Sequence, residues 1–246
     1  NAIEEVETPL QITIGIVLII EAIVTAAKNR QPAKAGWSGY DLPDEVFNRR
    51  WFLKPGTMDP NPFGELDQVR TNAPRGNLLK PAGPTDPEVC VVDVRTRRGR
   101  ALGLIANYAL HYVGGIPKVT EDDGKIVGMA SADYFGQFAR IMPYRIGGAN
   151  PPDNFVAMMT NGASGDINNY NFRNPRPRAE PFERIRAVAA RIADVAHQST
   201  AYLDYSDPAP LAMVEREIEL GIRKPDAEEL KRARERVAAA AEPDRL

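Results

Sequence analysis

The residue best suited to chemistry in this sequence is His111, one of two histidines among 246 residues. It follows an apolar stretch, 101–110, that is typical of a buried strand, and Gly114 and Gly115 come soon after it. Glycines at the end of a strand let a ligand or another segment approach the backbone closely. Imidazole is the commonest metal ligand and also a common buried hydrogen-bonding group. His111 is therefore either a metal ligand or a histidine whose ring is capped by a neighbouring carbonyl.

A second candidate site follows another strand-like segment, 155–160, which runs directly into a loop rich in glycine, asparagine and aspartate. Such a junction exposes backbone N–H groups and short polar side chains at the end of a sheet, where α/β proteins place their chemistry. A turn that satisfies its own backbone also explains this composition. Asp166, Asn168 and Asn171 offer oxygens to calcium, but the spacing lacks the glycine and closing glutamate of an EF-hand, which disfavours a calcium loop.

Five segments, taken in order, resemble the neutral, non-lysosomal ceramidases, and especially the shorter bacterial relatives of that family, whose substrate is unassigned. They are residues 46–51, 79–89, 107–111, 131–136 and 161–168. The resemblance extends from about Gln31 to beyond Arg223. It implies an α/β fold, with mixed β-sheets, flanking helices and a long proline-rich loop.

The resemblance also implies a function, which is zinc-dependent hydrolysis of an amide or ester bond in a small-molecule or lipid-like substrate. His111 matches a histidine that binds the family's zinc, and Arg49 matches an arginine that faces the polar group of the substrate. Gly165 and Asp166 lie in the segment that carries the nucleophilic serine of the ceramidases. Asn168 stands at the serine position, and an amide cannot attack a carbonyl. The sequence therefore leaves the nucleophile open, and water activated by zinc is one candidate.

Physical chemistry gives each of these groups a role. Zinc polarises a carbonyl and lowers the pKa of a bound water. Arg49 would hold a carboxylate or stabilise developing negative charge, and the backbone N–H groups around Gly165 and Asp166 would bind an oxyanion. Asp133 either orients His111 through its second ring nitrogen, as carboxylates behind metal ligands do, or is simply the first residue of a helix.

The zinc site that the resemblance implies is incomplete here. Its remaining ligands, a histidine, a glutamate and a tyrosine, would lie outside the sequence, and His197 falls at the end of a predicted helix, where it complements the helix dipole. Catalytic zinc needs three protein ligands, and only His111 is matched. We therefore expect residues 1–246 to be part of one ceramidase-like domain that lacks N-terminal and C-terminal portions. The alternative is a non-catalytic binding or structural protein on the same fold.

The composition is that of an ordinary globular protein, with 43% hydrophobic and 26% charged residues. A net charge of −2 argues against a nucleic-acid partner. The sequence does not determine the oligomeric state. Glu21 interrupts the apolar segment 10–27, which is expected to be a buried helix rather than a transmembrane one. No signal peptide is recognised, although the resemblance implies a periplasmic or secreted protein. Cys90, the only cysteine, is expected to pack as a small apolar group.

Hydrophobic periodicity, together with the glycine and proline residues that interrupt it, predicts the order of helices and strands. Helices are expected at 9–29, 131–141 and 182–198 and from Pro225 onward, where Asp226 and Glu229 match a capping box. Strands are expected at 33–40, at 155–160 and in a hairpin formed by 89–95 and 101–110. Residues 50–88 are rich in proline, show neither period, and are expected to form a long loop or lid.

Overall fold

The computed structural model describes residues 2–61, 64–120, 124, 126–208, 212–222 and 224–239, of which 2–12 and 15 are described by their backbone only. The helices are α1 (Ala2–Lys28), α2 (Asp133–Gly147), α3 (Glu183–Thr200) and α4 (Ala227–Ala239). The strands are β1 (Ala33–Asp41), β2 (Phe47–Asn48), β3 (Arg50–Leu53), β4 (Arg70–Thr71), β5 (Leu78–Pro81), β6 (Glu88–Thr96), β7 (Ala101–Tyr108), β8 (Lys118–Thr120), β9 (Ile126–Gly128), β10 (Val156–Asn161) and β11 (Ile167–Asn168).

The central element is a four-stranded sheet with the strand order β1-β6-β7-β10. Strand β6 is antiparallel to both of its neighbours, β1 and β7, whereas β10 runs parallel to β7. The predicted hairpin and the mixed α/β fold are therefore confirmed. Because β7 and β10 are parallel, the segments that follow them leave the sheet at the same edge.

One face of this sheet carries the main core. Inward-facing residues alternate along β6 and β7, and they pack against the apolar stripes of α2 and α3. The most deeply buried members are Val89, Val91, Leu104, Ala106, Tyr108, Phe138, Met142, Ile185, Val188 and Ile192. The stripe of α3 was predicted from its period of 3.6 residues, which puts apolar positions three and four apart on one face.

The other face of the sheet is exposed in the part of the chain that the structure describes. Trp37, Val92, Ile105 and Met158 lie opposite one another in a row across the four strands, and each is 38–63% exposed. Cys90 is on this face too, because its two neighbours in β6 point into the core. The prediction that Cys90 packs as an apolar group is therefore wrong.

Residues 50–88 contain strands that the predicted loop or lid did not include. Strands β4, β3 and β5 form a small antiparallel sheet, with an apolar cluster of their own. Its buried members are Trp51, Leu53, Ala73, Leu78 and Phe172. Strands of two to four residues are too short for the period-of-two pattern to show in a proline-rich sequence. The prediction of a long loop or lid without strands is therefore corrected for these residues.

Helix α1 also differs from expectation. Apolar side chains along its second half are 43–63% exposed, so the prediction of a buried helix is wrong for the side chains that the structure describes. They are Ile14, Ile16, Val17, Leu18, Ile19, Ile20, Ile23 and Val24. Within the described residues, no helix has the length and apolarity needed to cross a membrane. Apolar composition predicts a helix here, but it does not say what the helix packs against.

Candidate functional site

His111 lies in the loop that follows β7, and the first residues of α2 hold this loop from both sides. The hydroxyl of Tyr134 donates to the carbonyl oxygen of Leu110 at 2.7 Å. On the other side of the histidine, the carboxylate of Asp133 accepts the backbone N–H groups of Val113 at 3.1 Å and Gly114 at 2.9 Å. The backbone of the loop is therefore fixed immediately before and after His111.

Asp133 is in an unusual backbone conformation, with φ of 47°, and it is 5% exposed. Its Oδ1 also accepts the N–H of Tyr134 at 2.6 Å, and its own N–H donates to Ser131 Oγ at 3.0 Å. Left-handed conformations at residues other than glycine persist only where surrounding contacts determine them. Asp133 thus positions His111 through the backbone of the loop. Of the two roles suggested by the sequence, the structure shows the first residue of a helix and shows no hydrogen bond to the imidazole from a described residue.

The imidazole of His111 has few contacts in the described part of the chain. Its ring meets Tyr112 edge-on, with 5.0 Å between the ring centroids, and neither ring nitrogen makes a hydrogen bond to a described residue. His111 is half-buried. The alternative from the sequence, a histidine capped by a neighbouring carbonyl, is therefore not what the described residues form, and both nitrogens remain available to a ligand.

Two buried tyrosines support the end of β7, and sequence reasoning missed both. Burial, together with nearby carboxylates, raises the pKa of Tyr134 and of Tyr108 far above the ordinary phenol value. Both hydroxyls therefore stay protonated and act as donors, Tyr134 to Leu110 and Tyr108 to the carbonyl oxygen of Leu42. The positions could have been singled out as the polar aromatic residues within otherwise apolar segments.

A second group of candidate residues meets where β2 pairs with β11. Phe47 lies opposite Asn168 and Asn48 opposite Ile167 in this short antiparallel pair. Immediately beyond it, the N–H of Arg49 donates to the carbonyl oxygen of Asp166 at 2.7 Å.

The guanidinium of Arg49 reaches the same loop. Its Nη2 donates to the carbonyl oxygen of Gly165, while its Nε is buried without a partner. Arg49, Gly165, Asp166 and Asn168, which the sequence singled out separately, are thus in one place, and donor capacity remains on the guanidinium.

Asn48 is at the centre of this arrangement and is 3% exposed. Its Oδ1 accepts the N–H of Arg50 at 2.9 Å, and its Nδ2 donates to Asp166 Oδ2 at 2.9 Å. Gly83 packs directly on it, since a Cβ at Gly83 would lie 3.2 Å from Nδ2 of Asn48. This close approach explains why a glycine stands in segment 79–89. Asn48 was quoted only as part of a motif, and its role as the link between segments was not predicted.

The loop after β10 is partly self-satisfied. Asn168 Oδ1 accepts the N–H of Tyr170 at 3.1 Å, and the carbonyl oxygen of Ser164 accepts the N–H of Ile167 at 3.1 Å. Ser164 is thus a turn residue. The amide nitrogen of Asn168 and the backbone N–H groups of Gly165 and Asp166 make no hydrogen bond to any described residue. They are donors that a substrate oxygen could use.

The two groups of residues adjoin where β7 and β10 end. The N–H of Gly162 donates to the carbonyl oxygen of Tyr108 at 3.0 Å. A Cβ at Gly162 would lie 3.0 Å from the Cα of Ala109, so the close approach of the two backbones favours glycine at this position. His111 lies two residues after Ala109, and Gly165 lies three residues after Gly162.

The described residues do not form a complete metal site. No group of three or more histidine, cysteine, aspartate or glutamate side chains in the described ranges could hold a metal ion. The carboxylate of Asp133 already accepts hydrogen bonds from the backbone of the His111 loop, and that of Asp166 accepts one from Asn48. The residues present therefore do not fit a zinc ion by themselves, although His111 could supply one ligand.

A cleft of about 930 Å³ opens beside the site. Its walls are residues 113–117, which follow His111, residues 169–171, which follow Asn168, and residues 176–181 with Arg184 at the start of α3. The N–H of Phe182 donates to the carbonyl oxygen of Gly115 at 3.1 Å and ties two of these walls together. The sequence did not predict this cleft.

Comparison with known proteins gives a limited likeness. No protein-family profile and no curated protein matches the chain. Among solved structures, it is similar to a neutral ceramidase from Pseudomonas aeruginosa, with 16% identity over 75% of this chain and a TM-score of 0.47. It is also similar to a ceramidase complexed with C2, with 14% identity over 70% of this chain and a TM-score of 0.45. The chain spans 25% and 23% of the length of those two proteins.

Proposed function

We propose that this chain is part of a ceramidase-like hydrolase that cleaves an amide or ester bond at the edge of the sheet where β7 and β10 end. The observation that carries the proposal is the pairing of β2 with β11 beside the His111 loop. This pairing gathers Arg49, Asn168 and the free N–H groups of Gly165 and Asp166, and residues 169–171, which follow Asn168, line a cleft. Donors of this kind stabilise the negative charge that develops on a carbonyl oxygen during acyl transfer.

The roles of the chain's own residues follow from their remaining hydrogen-bonding capacity. Arg49 would bind the polar end of the substrate or the developing oxyanion through the guanidinium nitrogens that the loop does not use. The N–H groups of Gly165 and Asp166 would hold the carbonyl oxygen, and the Asn168 amide would donate to a neighbouring substrate oxygen. Asp133 and Tyr134 would keep His111 in place just before residues 113–117, which line the same cleft.

Among the described residues, His111 alone is proposed as a zinc ligand. When bound, zinc would polarise the carbonyl and activate water. Because the described residues supply only one of its ligands, the roles above are assigned without the metal.

The decisive experiment measures release of free amine from a panel of N-acyl amides and of acid from the matching esters, using the full chain. Arg49→Ala should reduce turnover by about 100-fold or more, which is the effect of removing one preorganised donor. The matched control is Arg98→Gln, an exposed arginine in the β6–β7 turn at the opposite end of β7. No hydrolysis of any probe by the unmodified chain would refute the proposal.

A second measurement tests the metal independently. Zinc content per chain is compared for the unmodified protein, His111→Ala and the control His197→Ala, which changes an exposed histidine in the last turn of α3. Zinc that is lost only in His111→Ala would support ligation by His111. Absence of zinc together with absence of hydrolysis would favour the alternative, a non-catalytic binding protein, for which the incomplete set of ligands is the supporting observation.

A further inference from the structure

The cleft beside the site has an unusual concentration of guanidinium groups. Arg176, Arg178 and Arg184 line it, and among its lining residues Glu180 alone is acidic. The neighbouring surface does not supply a counter-ion for Arg178, which makes no hydrogen bond or ion pair with the part of the chain that the structure describes. The other two arginines are partly engaged beneath the cleft, so the three differ in what they can still bind.

Glu45 is the group that engages them. It is fully buried, and its carboxylate is paired with Arg176 at 3.0 Å, with Arg191 at 2.5 Å and with Arg184. Arg176 uses its second Nη on the carbonyl oxygen of Asp44 at 2.7 Å, so its terminal nitrogens are both occupied. Arg184 donates from one Nη only, and its other nitrogens make no hydrogen bond to a described residue.

The charges do not balance on this side of the molecule. Arg191 is further neutralised by the carboxylate of Asp44 at 3.0 Å. The three arginines that line the cleft carry three positive charges, and the carboxylates of Glu45 and Glu180 carry two negative ones. One positive charge is therefore not balanced. Buried Glu45 holds Arg184 rigidly, and a guanidinium that is held in place recognises a carboxylate or phosphate with less loss of side-chain freedom.

We propose that this cleft binds an anionic group, a carboxylate or a phosphate, and that Arg178 and Arg184 recognise it. The cleft walls continue directly from His111 and Asn168, so the anionic group would be part of the molecule whose amide or ester is cleaved. In that sense the inference rests on the proposed function and narrows its substrate to acyl amides or esters that carry a negative charge. The apolar side chains of Ile116 and the prolines of the walls would contact the remainder of the ligand.

Equilibrium binding tests the inference without requiring turnover. The full chain is titrated calorimetrically with N-octanoylglycine, with neutral N-octanoylglycinamide and with N-octanoyl-O-phosphoethanolamine. The anionic probes should bind about tenfold or more tightly than the neutral one, a difference of about 1.4 kcal/mol, because only they accept charge-assisted hydrogen bonds from the guanidinium groups. The stronger of the two anionic probes identifies carboxylate or phosphate as the group that fits.

Arg178→Gln provides the variant, because its side chain has no described partner and its removal leaves the Glu45 pairs intact. The Arg178→Gln variant should weaken the preference for the anionic probes, because Arg184 alone remains to recognise the anion. The control Arg98→Gln, which removes the same charge at the far end of β7, should retain the full preference. Equal binding of neutral and anionic probes, or an undiminished preference in Arg178→Gln, would overturn the inference. Tight anion binding without hydrolysis of any probe would support the anion site and at the same time refute the hydrolase.

Discussion

The substitution Asp133→Asn tests whether the carboxylate of Asp133 holds the His111 loop. Asparagine tolerates the left-handed conformation that Asp133 adopts, so the change removes charge without adding backbone strain. With its oxygen on the side of Val113 and Tyr134, the new amide group would point its NH₂ at the N–H of Gly114, where the carboxylate now accepts at 2.9 Å. A donor would then face a donor.

The expected cost follows from that lost bond. A hydrogen bond to a charged group contributes about 1.5–3 kcal/mol, and an unsatisfied buried donor costs about 1–3 kcal/mol more. Gly114 is half-buried and can recover part of this from water, so we expect the free energy of unfolding to fall by about 3 kcal/mol. For a chain of this size, that corresponds to a fall in Tm of about 6–12 °C.

Urea unfolding followed by circular dichroism measures the global effect, and amide hydrogen exchange measures the local one. The amide of Gly114 should exchange about tenfold faster or more in Asp133→Asn. The control, Asp153→Asn, changes an exposed aspartate without a described partner and should shift stability by no more than about 0.5 kcal/mol. A loss below about 1 kcal/mol with unchanged exchange at Gly114 would refute the assignment of Asp133 as the clamp of this loop.

Three further predictions concern buried or perturbed groups. Glu45→Gln should lower the free energy of unfolding by about 3 kcal/mol, because it leaves arginines facing a neutral amide. The control Asp194→Asn removes a charge from an exposed ion pair and should lower it by less than about 1 kcal/mol. Equal losses for the two variants in urea unfolding would contradict the prediction. Desolvation and the Glu88 carboxylate raise the pKa of Cys90 to about 11. The rate of alkylation of Cys90 by iodoacetamide should therefore keep rising with pH towards that value, and in Glu88→Gln the midpoint of the rise should move to lower pH. A midpoint near the ordinary thiol pKa of about 8.5 in the unmodified protein would contradict the prediction. Asn48→Ala should cost about 1–3 kcal/mol in the same unfolding assay and reduce hydrolysis if the β2–β11 pair positions the site; unchanged stability would argue against that link.

The outcome of the sequence predictions depends on how local the governing interactions are. The capping box of α4 is present as predicted, with reciprocal bonds of 2.9 and 2.8 Å between Asp226 and Glu229. The hairpin of β6 and β7 and the buried stripe of α3 were equally predictable, because period and turn composition are properties of neighbouring residues. Cys90 and the exposed side chains of α1 were mispredicted, since apolarity does not specify which face has a partner.

The candidate site divides in the same way. The sequence by itself determined that His111 and Asn168 each follow a strand, and resemblance added Arg49, because these features can be recognised in short segments. Only the tertiary structure decided that Asn48 bonds Asp166, 118 residues away, and that Asp133 clamps the His111 loop through its backbone.

The arginine-lined cleft is the clearest case of what only the fold decides. Glu45 meets Arg184 and Arg191 across 139 and 146 residues, and none of the three is remarkable within its own segment. Which charges become neighbours depends on how α3 packs on the sheet, and that packing is selected by apolar burial rather than by the charges themselves. The sequence therefore specifies the elements and several reactive groups, whereas the electrostatics of the cleft arise from the way those elements are brought together.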